Sequence, residues 1–538
     1  MAARIRKVQV ANVMLWGHNV GALAWDRDLG FFEYDPAFIR RGLNVSPLVL
    51  PLRTGVFSFP ALKRDTFRGL PGLLADALPD RFGNRIIDLW LARHGRTPDD
   101  FTPLERLCYV GSRGMGAMEF KPAIGPRTSK AIPLEVSELT QLASDILRQR
   151  AEWAVNLKGA RSTALNTIFR VSTSAGGNRA KAVIAWNPAT HEVRSGQVAA
   201  PEGFEPWILK FDGVDDKSLG DPQGFGRIEY AYHRMAVAAG IQMSDCRLLE
   251  EGGRAHFMTR RFDRTARGEK IHMQSLCAIA HYDFNAAGEY GYEQALSVIQ
   301  QLNLGYPAVQ EMFRRMVFNV IARNQDDHTR NIAFLMDRDG RWRLSPAYDM
   351  IWAYNPGGGW TNRHQMRVNG KLDGFERSDL LAVAGTFGIK DAASIIRQVD
   401  QAVRRWPEFA ADASVPQAMI DMIERPELVH AAVERMVDAW MVELDQFVAL
   451  NALELDCNNT RIGSGGYGYT RQLPGADYDP DRVQPHNMWG CSNAQVFSEV
   501  SPQMHWEFAL RHDLRWLERW GLTYYGCCEP LHQKIDLL

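Results

Sequence analysis

The sequence predicts an α+β fold, with mixed strand and helix in its first half and mainly helix after that. Three observations predict it. Strand-like runs separated by turns fill the beginning of the chain: VQVANVMLW, NVGALAW and SPLVLPL. A second set of strand-like runs, FRVSTSAGGNRAKAVIAW, EPWILKF and RAHFMTRRFDR, is interrupted by the helix pattern RIEYAYHRMAVAAG. From about residue 290 the apolar spacing is mostly helical to about 450.

At 538 residues the chain is too long for one ordinary domain. Residues 1–130 read as a small α+β domain. Its strands surround the helical region GLPGLLADALPDRFGNRIIDLWLARHG, and it closes on YVGSRGMGAMEFKPA, a glycine-rich turn between strand-like pieces. Residues 131–265 open with a helix from about 135 to 155. They continue as strand, small-residue turn and strand, and then a helix that stops at Gly240. Residues 266–450 are expected to be helical, apart from a hairpin turning at Asp339-Gly340. After about residue 452 the composition shifts to Gly, Pro, Asn and Asp, so 451–538 forms a separate segment.

Hydrophobic residues make up 46% of the chain and charged residues 23%, which is ordinary for a globular protein. The 62 basic and 63 acidic residues give a formal charge of -1, and nothing global argues for a nucleic-acid or membrane-surface binder. No apolar run approaches the roughly 18 to 20 residues of a membrane span. The basic N-terminus is not followed by a signal-peptide core. The seven cysteines include no CxxC pair, and Cys527 and Cys528 read as buried or free thiols. A cytoplasmic protein is expected.

The densest chemistry lies in NQDDHTRN, residues 324–331. Phosphoryl transfer needs a carboxylate near the acceptor hydroxyl, oxygen ligands for magnesium and a lysine on the phosphates. Protein kinases draw the first two from a loop spaced D-x-x-x-x-N. Asp326 to Asn331 has that spacing and Asp327 does not, so Asp326 is expected as the base and Asn331 as a metal ligand. A second magnesium carboxylate should follow a hairpin, and AYDM supplies Asp349. WILKFDG offers Lys210 on a strand, and the next helix offers Glu229 to hold it. STSAGGNRAK, between two strands, can cover phosphates with backbone N–H groups from Ser174, Ala175, Gly176 and Gly177, with Lys181 nearby. Each element alone has a blander reading: a solvated turn, a surface lysine, an exposed helix glutamate. The joint order is that of kinases, although HRD, DFG and a GxGxxG cover are missing.

SAGGNRAK, WILKFDG, NQDDHTRN and LSPAYD resemble the motifs of HipA-type serine/threonine kinases, toxins of bacterial toxin–antitoxin pairs. The resemblance extends over about residues 10–450. It implies a protein-kinase-like two-lobed fold, with a mixed N-lobe carrying a small N-terminal subdomain and an all-helical C-lobe. It also implies ATP and magnesium, with Lys210 on the phosphates, Asp326 as base, and Asn331 and Asp349 on the metal. In this family a glycine-loop serine is autophosphorylated to switch the kinase off. Ser174 matches it, with Ser172 and Thr173 close by. Ala180 stands where related loops often have proline. The family acts on translation factors such as aminoacyl-tRNA synthetases. Its partner is a small helix-turn-helix antitoxin of the HipB kind, through which any DNA contact would run.

In the tail, residues 463–468 satisfy GxGxxG but lack the strand before and helix after that a dinucleotide site requires. Residues 451–538 instead resemble part of a uroporphyrinogen decarboxylase-like barrel, carried by GSGGYGYTRQLPGADYD, MWGCSNAQVFSEVSPQMHWEFAL and WLERWGLTYYGCCEPLH. A closed barrel takes about 250 residues, so an incomplete, inactive α/β fragment is expected. His505, Cys528, Glu529 and His532 would be ligands only in an intact parent. Two rivals to the kinase reading remain. One is an impaired kinase-fold scaffold that binds an antitoxin and its operator. The other is a metallohydrolase built on Asp326, Asp327 and His328.

Overall fold

The first strand, β1 (Val10–Leu15), buries Ala11, Val13 and Leu15 and turns their neighbours outward, as the two-residue period of a strand dictates. It turns back at Trp16-Gly17, both at positive φ, into β2 (His18–Asp26). With β3 (Leu29–Tyr34), β4 (Val56–Phe57) and β5 (Met118–Lys121) these strands form a sheet in the order β4-β3-β2-β1-β5. The helix Pro103–Val110 is set by a capping box in which Thr102 and Glu105 bond each other's backbone. Its Leu104 and Leu107 join β1 and β2 in one core.

The structure is a computed structural model. It describes residues 7–126, 130–148, 168–169, 179–198, 200–214, 224–265, 267–355, 359–455, 460–462, 466–468, 470–492, 497, 500 and 502–526. The expected glycine-loop residues Ser174, Ala175, Gly176 and Gly177 lie outside the described residues, as do Ser172, Thr173, Cys527, Cys528, Glu529 and His532.

A second antiparallel sheet comprises β6 (Lys181–Trp186), β7 (Val193–Ser195), β8 (Glu205–Lys210), β9 (Cys246–Glu251) and β10 (Arg254–Arg260), in the order β7-β6-β8-β10-β9. All six residues of β6 are buried. The helix Phe225–Ala238 lies between β8 and β9 in sequence and packs on β10. Gly226 permits the close approach: a Cβ there would sit 2.0 Å from the Ala255 carbonyl oxygen. The helix gives out where expected, with Gly240 at φ 81°.

The expectation of a C-lobe over 266–450 that is all helix apart from one hairpin is corrected by a further strand. Helices Tyr292–Gln301, Tyr306–Ile321, Arg377–Thr386, Ala392–Val403 and Trp406–Asp412 are present. Between them stands a three-stranded sheet of β11 (His272–Ser275), β12 (Ala333–Met336) and β13 (Trp342–Leu344). The β12–β13 hairpin is the one expected at Asp339-Gly340, with Gly340 at φ 81°. All four residues of β12 are buried, and an edge left open there would strand backbone polar groups away from water; β11 pairs it instead.

Residues 1–214 and 225–413 form one compact unit, and 215–224 with 414–538 a second. The division falls at 413/414, whereas the composition shift had suggested 450/451. The reason lies in the long helix Pro426–Ala449, which takes its partners from the tail. Asp438 and Asp445 pair with Arg515 and Arg519, and His430 stacks on Phe508. The tail pairs β16 (Trp489–Ser492) in parallel with β17 (Leu522–Tyr525) around an intervening helical stretch. Among the described residues it is the one parallel pair of strands, beside three isolated parallel bridges elsewhere. Before it, β14 (Thr460–Ile462) pairs antiparallel with β15 (Gly466–Gly468), and among the described residues from 470 to 484 there is no helix. His505 is buried, with Nε2 2.8 Å from the Tyr525 hydroxyl.

Candidate active site

Lys210 ends β8, and strand register decides what it faces. It lies opposite Lys181 of β6 on one side and Phe257 of β10 on the other. Directly opposed residues project to the same face of a sheet, so both lysines lie on one face. The Lys210 ammonium donates to Glu229, from the helix Phe225–Ala238, and to Asp349. Burial by itself would pull this ammonium down. Asp349 and Glu229 outweigh it and hold Lys210 above the ordinary lysine range. Burial would raise the Asp349 carboxyl. Lys181 and Lys210 outweigh that and hold it below the usual carboxylate range. Lys181, 5% exposed, is lowered by burial despite the attraction of Asp349.

Asp349 reaches this cluster because its segment is fastened on both sides. Upstream, Ala347 N donates to Gln242 O at 2.8 Å, just beyond the helix that carries Glu229. Downstream, Gln325 N donates to Ala353 O and Ala353 N to Arg323 O, which stitches the segment to the start of NQDDHTRN. Asp349 itself has φ 53°, an uncommon conformation that aspartate tolerates better than most side chains.

Within NQDDHTRN the two aspartates point to different surroundings. The Asp326 side chain is 42% exposed and accepts a hydrogen bond from Trp360 Nε1 at 2.6 Å. Asn331 Nδ2 donates to the Asp326 carbonyl at 2.8 Å, which braces the loop across its length and turns the amide oxygen away from that bond. Asp327 is buried. It accepts from Tyr292 OH at 2.9 Å and Gln365 N at 2.8 Å, and His364 Nδ1 lies 2.8 Å away. Asn319 donates to the Tyr292 hydroxyl and Asn324 to Asn319, which ties the loop to the helix Tyr306–Ile321. His328 Nε2 is 3.8 Å from Asp326, and its ring packs against Phe284 and Trp360. The three groups of the metallohydrolase reading therefore do not converge. Among the described residues no three His, Cys, Asp or Glu side chains form a metal cluster.

Asn331 and Asp349 do line one pocket, together with Asp327, His328 and Tyr348. An amide oxygen and a carboxylate are oxygen donors of the kind magnesium takes when phosphates complete its shell. The donor chemistry thus fits the metal that the spacing suggested.

The N-terminal sheet domain also touches this loop. Asp76, just after the short helix Gly72–Ala75, accepts from Ser275 N and Oγ at 2.7 and 2.8 Å. Its carboxylate lies 3.9 Å from Arg330, whose carbonyl accepts from Tyr348 OH at 2.7 Å. Sequence reasoning weighed Asp327 only as a spacing mismatch and a metallohydrolase ligand, and it overlooked Asp76, Trp360, His364 and Gln365. It also overlooked Arg179, a half-buried guanidinium lowered by desolvation that stands over the Phe225 ring within the field of Glu229, Asp212, Asp349 and Asp326. None of these falls at a motif spacing.

Two family models match the chain: the HipA N-terminal domain over residues 11–121 and the HipA-like C-terminal domain over residues 173–406. A Haemophilus influenzae protein, provisionally named a kinase, is 26% identical over 140 residues; the match takes in 23% of this chain and 40% of that protein's length. Among solved structures, the HipA of the Shewanella oneidensis MR-1 toxin–antitoxin system, determined with HipB and operator DNA, is similar with a TM-score of 0.52 and 18% identity. The superposition covers 75% of this chain and 90% of that one. At that identity the likeness is one of fold. The Helicobacter pylori proinflammatory kinase CtkA, at 11% identity over 45% of this chain and 93% of its own, has a TM-score of 0.28, which supports no inference.

Proposed function

The chain belongs to the HipA family, and from that premise we propose that it is an ATP-dependent protein serine/threonine kinase, the toxin of a toxin–antitoxin pair. One observation carries the reading. A strand lysine, Lys210, is joined at once to a helix glutamate, Glu229, and to Asp349, whose segment is stitched to the loop holding Asp326 and Asn331. That is the division of labour phosphoryl transfer asks for. Lys210, with Lys181 beside it, is positioned for phosphates. Asp326, the more exposed aspartate, takes the proton of the acceptor hydroxyl. Asn331 and Asp349 would hold magnesium, which would neutralise charge developing on the phosphates. Autophosphorylation at Ser174 would put up to about -2 charge where ATP phosphates sit, and so would oppose binding.

The partner proposed is a small helix-turn-helix antitoxin, with operator DNA reached through it. This agrees with the Shewanella relative having been solved with HipB and its operator. The substrate class proposed is a protein of translation, such as an aminoacyl-tRNA synthetase. Among the described residues no helix is long and apolar enough to cross a membrane, and we place the action in the cytoplasm.

The test is transfer of labelled phosphate from ATP and magnesium, both to the chain itself and to a serine/threonine peptide library. Asp326→Asn should abolish transfer with folding intact. Lys210→Met should lower it by at least about 100-fold through lost charge stabilisation. Full activity in both variants would overturn the assignment. Nucleotide binding with no transfer in the unaltered chain would favour the scaffold.

A further inference from the structure

The segment 359–365 returns to NQDDHTRN at both aspartates. Trp360 bonds Asp326, while His364 and Gln365 bond Asp327. The segment is also tied to itself and its surroundings: Gln365 Nε2 donates to Trp360 O at 2.5 Å, and Asn355 N to Thr361 O at 3.0 Å. Its two ends differ in exposure. His364 and Gln365 are 2% and 3% exposed, on a carboxylate that is equally buried; these contacts brace the loop. Trp360 is 36% exposed, on a carboxylate that is 42% exposed. A contact that solvent reaches from both sides does little to hold a fold together. It does, however, occupy an oxygen of the exposed carboxylate that an acceptor would need.

The bland alternative is a surface indole that found an acceptor. Two details weigh against it. The backbone of Trp360 is fixed through Gln365 to the same network that fixes Asp327, so the indole is aimed rather than free. Its N–H also lies on the carboxylate that the proposed reaction uses to receive a proton.

We propose that Trp360 is the acceptor-side positioning residue of this site: its indole N–H holds the Asp326 carboxylate until the hydroxyl of the incoming serine or threonine replaces it. This rests on the proposed kinase activity. Once exchanged, the hydroxyl donates to Asp326. It loses its proton to that carboxylate as its oxygen bonds to phosphorus, and the bond from phosphorus to the leaving ADP oxygen breaks with its electrons going to ADP. One consequence follows. Water has to compete with the indole for Asp326, which suppresses wasteful hydrolysis of ATP.

The test compares the full chain with Trp360→Phe, which keeps an aromatic ring but removes the donor, and with Trp360→His, which restores a ring N–H. Phosphate release from ATP and magnesium, with water as acceptor, and transfer to the peptide library are both measured. Trp360→Phe should raise water-dependent release severalfold and lower the ratio of peptide transfer to release. Trp360→His should move both back toward the unaltered chain, and Asp326→Asn should abolish both reactions in any background. A Trp360→Phe chain with unchanged hydrolysis and an unchanged ratio, beside an active unaltered chain, overturns the role of Trp360 alone. An unaltered chain that transfers phosphate to nothing overturns the kinase reading, and this inference with it.

Discussion

Adjacent aspartates with different surroundings carry different work. Asp326 keeps a solvent-facing carboxylate, whereas Asp327 is buried under three polar partners. Asp327→Ala would leave the Tyr292 hydroxyl, His364 and the Gln365 N–H without their acceptor. We expect a loss of about 3–5 kcal/mol in chemical denaturation, the usual cost of removing one side of a buried charged network. Asp327→Asn keeps the shape and should lose less. Asp326→Asn should change stability little. The spacing D-x-x-x-x-N was enough to single out Asp326 and Asn331. It passed over Asp327 because its partners lie 35 to 38 positions away and acquire meaning only when the chain folds back.

Single elements set the geometry of the lysine. The helix Phe225–Ala238 approaches β10 so closely at Gly226 that an added Cβ would collide with the Ala255 carbonyl. Gly226→Ala should therefore push the helix outward and carry Glu229 away from Lys210. The expected cost is roughly 1–3 kcal/mol of overpacking, read as a lowered thermal midpoint, together with weakened phosphate transfer. If the variant keeps both its midpoint and its activity, the helix is not pinned there. The helix and its stop at Gly240 were legible from apolar spacing, as was the β12–β13 hairpin. β11 was not, because four residues of His272–Ser275 hold too little periodic signal to distinguish a strand before its partner is known.

For the whole molecule, pH is the broadest lever. Burial pushes His233, His256, His272 and His281 down to about 4. Unfolded, each would titrate near 6.5. Below that pH the unfolded chain binds more protons than the folded one, so stability falls as pH falls from about 6.5 and levels off near 4. Each histidine contributes about 3 kcal/mol to that fall. Urea midpoints across this window should show the decline, and His272→Gln should make it shallower; a flat profile would contradict the buried, neutral histidines. The two compact units give a second expectation. All the named site residues belong to the unit formed by 1–214 and 225–413. A chain ending at 413 should keep nucleotide-dependent activity. A chain ending at 450 removes the tail partners of the helix Pro426–Ala449, whose Leu428, Met436, Val442 and Phe447 are already exposed, and it should aggregate in light scattering.

The sequence by itself determined the order of the chemistry: a lysine on a strand, a glutamate on the next helix, then D-x-x-x-x-N and an aspartate beyond a hairpin. Those are local patterns, because spacing and periodicity are written in neighbouring residues. Tertiary structure alone decided which side chains surround them. It set Lys181 across from Lys210 through strand register, sank Asp327 into a network, brought Trp360 onto Asp326 and moved a helix from one unit to the other. Contacts between residues far apart in the chain depend on how its segments pack, and no local pattern encodes that packing.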